Sequence, residues 1–131
     1  MAPKPGLNTR ADIEKLVNHF YEKVQADAEI GYIFNKVVKL DWDKHIPVMY
    51  DFWESTLFGN ATYKGNAMQV HLDLDDRERL LPVHFERWLS LFEKSVDELY
   101  AGTIAHLAKT RARSIATVIQ LKLQQKNQPI K

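Results

Sequence analysis

The sequence predicts an all-α fold in a single domain, and three observations predict it. Apolar residues recur at steps of three and four in several segments, nothing alternates with a period of two over a useful length, and 131 residues at 45% hydrophobic suffice for one core. The expected organisation is a flexible leader over residues 1–8, a single domain over 9–125 and a frayed tail over 126–131. Eighteen lysines and arginines against seventeen acids leave a net charge of +1, so no global field draws nucleic acid or an anionic membrane surface. The absence of cysteine excludes a disulfide framework and any thiolate-held metal group. The opening Met1-Ala-Pro-Lys-Pro-Gly lacks the apolar core of a signal peptide and no stretch reaches the length of a membrane span, which reads as a soluble, cytoplasmic protein.

Thr9 is placed to cap a first helix, with Asp12 in its first turn and Ile13, Leu16, Val17, Phe20, Tyr21 and Val24 on one stripe. His19 falls off that stripe and reads as a surface residue. Residues 28–34 allow only a short helix, broken near Gly31 and ending at Phe34 as a corner aromatic. A second helix begins between Asp41 and Lys44 and presents Trp42, Ile46, Met49, Phe52, Trp53, Thr56 and Leu57. Pro47 lies inside it, so an irregular first turn around His45 is expected, and Gly59-Asn60 ends it. A loop over 61–66 leads to a short helical stretch around His71, followed by the solvated loop Asp75-Asp-Arg-Glu-Arg79. Pro82 suits a first helical position and opens a helix with Phe85, Trp88, Leu89, Phe92, Val96 and Leu99 inward. Gly102 breaks that helix. The last helix runs from about Thr103 to Gln124, with Ile104, Leu107, Ala108, Ile115, Val118 and Ile119 inward and alanines at 105, 108, 112 and 116 permitting close approach.

Four residues in this frame carry a polar handle on an apolar face or its edge: Tyr21, His45, His71 and Trp88. Buried, each must satisfy that handle. His71, between Val70 and Leu72, reads either as a buried histidine bonded to a carbonyl or as a single axial metal ligand, the arrangement of haem chemistry. Tyr21 and Trp88 read equally as core residues, and His45 as a partner for Asp41 or Asp43. Inward Glu-x-x-His pairs of a di-iron bundle and the His-Glu-x-x-His zinc motif are both absent from the sequence.

Taken jointly, the stretches Asp12-Ile-Glu-Lys-Leu-Val-Asn-His-Phe-Tyr21, Gly31-Tyr-Ile-Phe34, Asp41-Trp-Asp-Lys-His45, Phe52-Trp53, Tyr63-Lys-Gly65, His71-Leu and His84-Phe-Glu-Arg-Trp88-Leu-Ser-Leu-Phe92 resemble the truncated haemoglobins, in particular their third group. The resemblance covers roughly Asp12 to Ala116. It implies the two-on-two globin fold, a helical sandwich around a haem b (iron protoporphyrin IX), with His71 as the proximal iron ligand. It further implies that Tyr21 and Trp88 are distal hydrogen-bond donors, that His45 is the distal histidine and a gate, and that Phe34 packs on the porphyrin. Phe20 and Met49 would complete the distal wall, and Leu91 and Phe92 would meet the haem or its rim. His84 matches the histidine at a helix start and is not expected to touch iron.

Basic residues that hold the haem propionates in the wider family are replaced here by Val48 and Val70. That leaves Tyr63, Lys64, Lys44, Arg77, Arg79 and Arg87 as anchors by proximity only, and the loop from Asp75 to Leu81 looks longer than usual. The function implied is reversible binding of oxygen, and of carbon monoxide and nitric oxide, by a monomer served by an unidentified reductase. Two donors in a dry pocket stabilise the partial negative charge on oxygen, which implies tight binding and slow release. Nitric oxide dioxygenation, or a peroxidase-like reaction with His45 moving a proton, is the enzymatic extension. The competing reading is a cofactor-free helical interaction module whose aromatic residues are all core.

Overall fold

The computed structural model describes residues 4–34, 42–59, 65, 74–75 and 79–127. Its main elements are helices α1 (Arg10–Ala26), α2 (Trp42–Phe58), α3 (Pro82–Leu99) and α4 (Thr103–Lys126). Among the described residues there is no strand, as the all-α expectation requires. Side-chain pairs fix the directions of the helices. Arg10 meets Asp51 and Glu54 while Tyr21 meets His45, so α1 and α2 run antiparallel. Lys109 meets Asp97 and Arg113 meets Glu93, so α3 and α4 do too. The α1–α2 pair packs on the α3–α4 pair through α1 against α3 and α2 against α4.

Helix α1 starts where the sequence places it. The Thr9 hydroxyl accepts from the Asp12 amide and the Asp12 carboxylate accepts from the Thr9 amide, a reciprocal capping box. Its buried residues are Ile13, Leu16, Val17, Phe20, Tyr21 and Val24, the six of the expected stripe. Helix α3 begins with Pro82 at its first position. The Leu81 amide ahead of it donates to His84 Nδ1 at 2.9 Å, so His84 serves the helix start. The left-handed φ of +103° at Gly102 lets the chain turn between α3 and α4 where a Cβ would be strained.

Four expectations need revision. Gly31 does not interrupt a helix but begins one: residues 28–30 form a turn and the chain is helical over 31–34, and a Cβ at Gly31 would lie 3.0 Å from the Val24 and Gln25 carbonyls, so the glycine permits close approach to the end of α1. The first turn of α2 is not irregular, since helix runs unbroken from Trp42 through Pro47. Proline deprives the Asp43 carbonyl of its donor, and Asp43 is solvent-exposed, where water can replace it. Val118 points outward at 47% exposure, and Leu123 is buried in its place. The inner face of α4 is Ala105, Ala108, Ala112, Ala116, Ile119 and Leu123, a stripe of steps three and four that Val118 misses by one residue. Finally, within the stretch read as a leader, Leu7 is fully buried in the core and the Pro5 carbonyl accepts from the Ala101 amide in the turn between α3 and α4.

The core centres on rings. Phe92, fully buried, stacks on Trp53 and on Trp88, and meets Phe20 edge-on at 5.3 Å. Rings from α1, α2 and α3 thereby join in one cluster, each contact adding about 0.5–1.5 kcal/mol beyond area burial. Ser95, also fully buried, satisfies its hydroxyl on the Leu91 carbonyl within its own helix.

A carboxylate closes the corner after α1. The Asp27 side chain is 2% exposed, accepts from the Glu29 and Ile30 amides and is held by Arg87 of α3 at 2.6 Å. Burial alone would raise its pKa, but Arg87 and the two amides together hold it below the usual carboxylate value. A depressed folded pKa stabilises above the unfolded value near 3.8 and loses that contribution as pH falls through the folded one. Asp27→Asn is therefore expected to cost about 1–3 kcal/mol at pH 7. The difference from wild type in thermal unfolding should shrink below about pH 4; an equal difference at pH 7 and pH 3 would contradict the ion pair. His84→Ala, which orphans only the partly solvated Leu81 amide, is expected to cost about 0.5–1 kcal/mol by denaturant unfolding, and no loss would remove His84 from the cap.

Candidate functional site

The candidate site lies where the second half of α1 faces the first half of α2. Tyr21 sits there because it shares the inward stripe of α1 with Phe20, and its side chain is 5% exposed. Burial pushes the phenol pKa far above its ordinary value, so the group stays a neutral O–H at any pH the protein meets. Its partner comes from α2: His45 Nε2 lies 3.3 Å from the Tyr21 hydroxyl. The two rings meet edge-on at 5.3 Å. With the hydroxyl as donor, Nε2 accepts and the imidazole is the Nδ1–H tautomer.

Around this pair the site is aromatic and apolar. Phe34, in the corner after α1, packs at 5.9 Å against Trp42. Trp42 in turn lies 5.4 Å from Tyr21 and 6.0 Å from His45. Ile46, Met49 and Phe52 continue the same face of α2 as half-buried residues packed against the core. Trp88 reaches the site from α3 by way of Phe20: the Phe20 ring is edge-on to Tyr21 at 4.9 Å and to Trp88 at 5.5 Å. Phe92 stands behind Trp88, stacked nearly parallel to it.

The structure thus brings together Tyr21, His45, Phe34 and Phe20, with Met49 one turn along α2 and Trp88 joined through Phe20. His71 and Tyr63 lie outside the described residues, as do Lys64 and Arg77. Two of the basic residues considered as anchors by proximity are paired with acids: Arg87 with Asp27, and Arg79 3.8 Å from Asp75. His84 is bound into the start of α3. His45 is bound to Tyr21 rather than standing only as a partner for acids near the helix start.

Trp42 is the residue that sequence reasoning missed. It appears there as an apolar helix position and within the matching stretch from Asp41 to His45, with no role of its own. Its spacing of three from His45 was the available signal, since residues three apart share a helix face.

No protein-family model matches the chain. It is similar to the group 3 truncated haemoglobin ctb of Campylobacter jejuni, with 35% identity over 111 residues, 82% of this chain and 85% of the relative. Its fold is similar to the crystal structure of group III truncated haemoglobin from the same organism, with a TM-score of 0.80 at 32% identity, covering 93% of this chain and 96% of that one. Identity at that level over most of both sequences, with the helices arranged as in the solved relative, places the chain among the group III truncated haemoglobins, the family to which it belongs.

Proposed function

We propose that this protein binds haem b through His71 and takes up oxygen, along with carbon monoxide and nitric oxide, on the side lined by Tyr21, His45 and Trp88, holding oxygen tightly and releasing it slowly. The observation that carries the reading is the buried Tyr21 hydroxyl, hydrogen-bonded to His45 inside a wall of aromatic and apolar side chains. Family membership implies a haem cofactor and argues against the cofactor-free interaction module.

The residues fit such a group. Phe34, Trp42, Ile46, Met49 and Phe52 offer flat and apolar surface from one side, the kind of lining that excludes water from a porphyrin. Tyr21 and His45 supply a polar centre within it. Axial ligation rests on His71, the histidine that the family resemblance singles out; His84 is occupied at the start of α3.

Bound haem supplies a ferrous iron that takes a diatomic ligand. The chain's part is to set hydrogen bonds around that ligand. Tyr21, whose neutral form burial further favours, is a donor whose O–H turns either to His45 Nε2 or to an acceptor in the pocket. The Trp88 indole N–H is a second donor, held at a fixed tilt by its stack on Phe92. Donors fixed before the ligand arrives cost no reorganisation when charge develops. His45 stands four residues into α2 beside the exposed Pro47 and Val48, at the solvent edge, so displacing its ring opens a direct path inward.

Removing the Tyr21 hydroxyl tests this. Tyr21→Phe keeps the ring packing, and the expected result in stopped-flow measurements of the oxygen complex is release about ten- to a hundredfold faster, the range for losing a hydrogen bond to a charged group. An unchanged release rate would remove Tyr21 from the distal role.

A further inference from the structure

The hydrogen bond between His45 and Tyr21, at 3.3 Å, is longer than the usual range for this class, so it is a weak tether for a half-buried imidazole near the solvent edge of α2. A second contact holds the same ring. The Trp42 indole lies edge-on to His45 at 77° and a centroid separation of 6.0 Å, and edge-on to Tyr21 at 60° and 5.4 Å. Trp42 is itself braced by Phe34 at 5.9 Å. It occupies the helix position three before His45, on the same face. The imidazole therefore sits between two ring systems, the phenol of Tyr21 and the indole of Trp42, and turning out toward solvent means leaving both.

We propose that Trp42 is a positioning residue that holds His45 against Tyr21 and so sets how often the distal site is open to a diatomic ligand. This rests on the haem-binding reading above. Trp42 touches neither the iron nor its ligand in this role. It acts through the imidazole, by making the inward arrangement of His45 the more populated one. When the imidazole turns away, the Tyr21 hydroxyl loses its hydrogen bond to His45 and is available to the ligand more of the time.

The test is a double-mutant cycle on the carbon monoxide complex, using Trp42→Leu, Trp42→Phe, His45→Ala and Trp42→Leu with His45→Ala. The readouts are the infrared C–O stretching bands, which report donors near the ligand, and the association rate after flash photolysis. Trp42→Leu is expected to redistribute the C–O bands and to raise the association rate about two- to tenfold, the range for losing an aromatic edge contact. Trp42→Phe, which retains a ring edge, should stay close to wild type. In the His45→Ala background, Trp42→Leu should change neither readout, because the residue through which it acts is gone. Equal effects of Trp42→Leu with and without His45, or no effect in either, would overturn the proposal. A wild-type protein whose Soret band does not respond to carbon monoxide would instead overturn the haem reading beneath it.

Discussion

A phenol hydroxyl buried where two helices cross has to find a hydrogen-bond partner, and that requirement organises the site. Tyr21 cannot leave the inward stripe of α1 without opening the core around Phe20. Its oxygen therefore stays at the interface with α2, and α2 must present a polar atom there. His45 does so. With that hydroxyl satisfied, the neighbouring α2 positions Ile46, Met49 and Phe52 can remain apolar. The same burial pushes the phenol pKa up and so favours the neutral donor form.

The supporting structure is the ring cluster of the core. Phe92 connects Trp53 on α2 with Trp88 on α3, and Phe20 on α1 leans on Phe92, Trp88 and Tyr21. Aromatic side chains have few rotamers, so a cluster of them holds its polar members in place as well as burying area. Two carboxylates pin the periphery. Asp27 joins the corner after α1 to α3 through Arg87, one residue before Trp88. Asp75, almost fully buried, accepts from the Leu80 amide, Lys126 and Asn127, tying the stretch ahead of α3 to the end of α4. Tyr21 and Trp88 are in this way positioned by packing, through their contacts with Phe20 and Phe92.

Much of this was legible in the sequence where a local rule decides the outcome. Thr9 with Asp12 is a cap by chemistry and spacing, the α1 stripe is periodic, Pro82 opens a helix, and Gly102 takes the positive φ that others avoid. The misses are places where tertiary contact overrides local pattern. Val118 and Ile119 are equally apolar, and only the contact of α4 with its neighbours chooses between them. Gly31 reads as a breaker, yet it is needed for the close approach of its segment to the end of α1. Leu7 belongs to a Pro- and Gly-containing stretch with no periodicity, and only the folded chain brings it into the core. Within the site, Tyr21, His45 and Trp88 stood out because each carries a polar handle on an apolar face or its edge, and Phe34 entered through the family resemblance. Trp42 did not, since a tryptophan on such a face is ordinary until it is found against both Tyr21 and His45.

The claim on which everything else stands is that this chain holds a haem through His71, and the optical spectrum tests it most directly. Purified wild-type protein and His71→Ala would each be recorded ferric, reduced, and reduced with carbon monoxide. The account predicts an intense wild-type Soret band that shifts on reduction and again with carbon monoxide, and that is weakened or lost in the variant. A wild-type protein that takes up no haem even after reconstitution, or a His71→Ala spectrum identical to wild type, would contradict it.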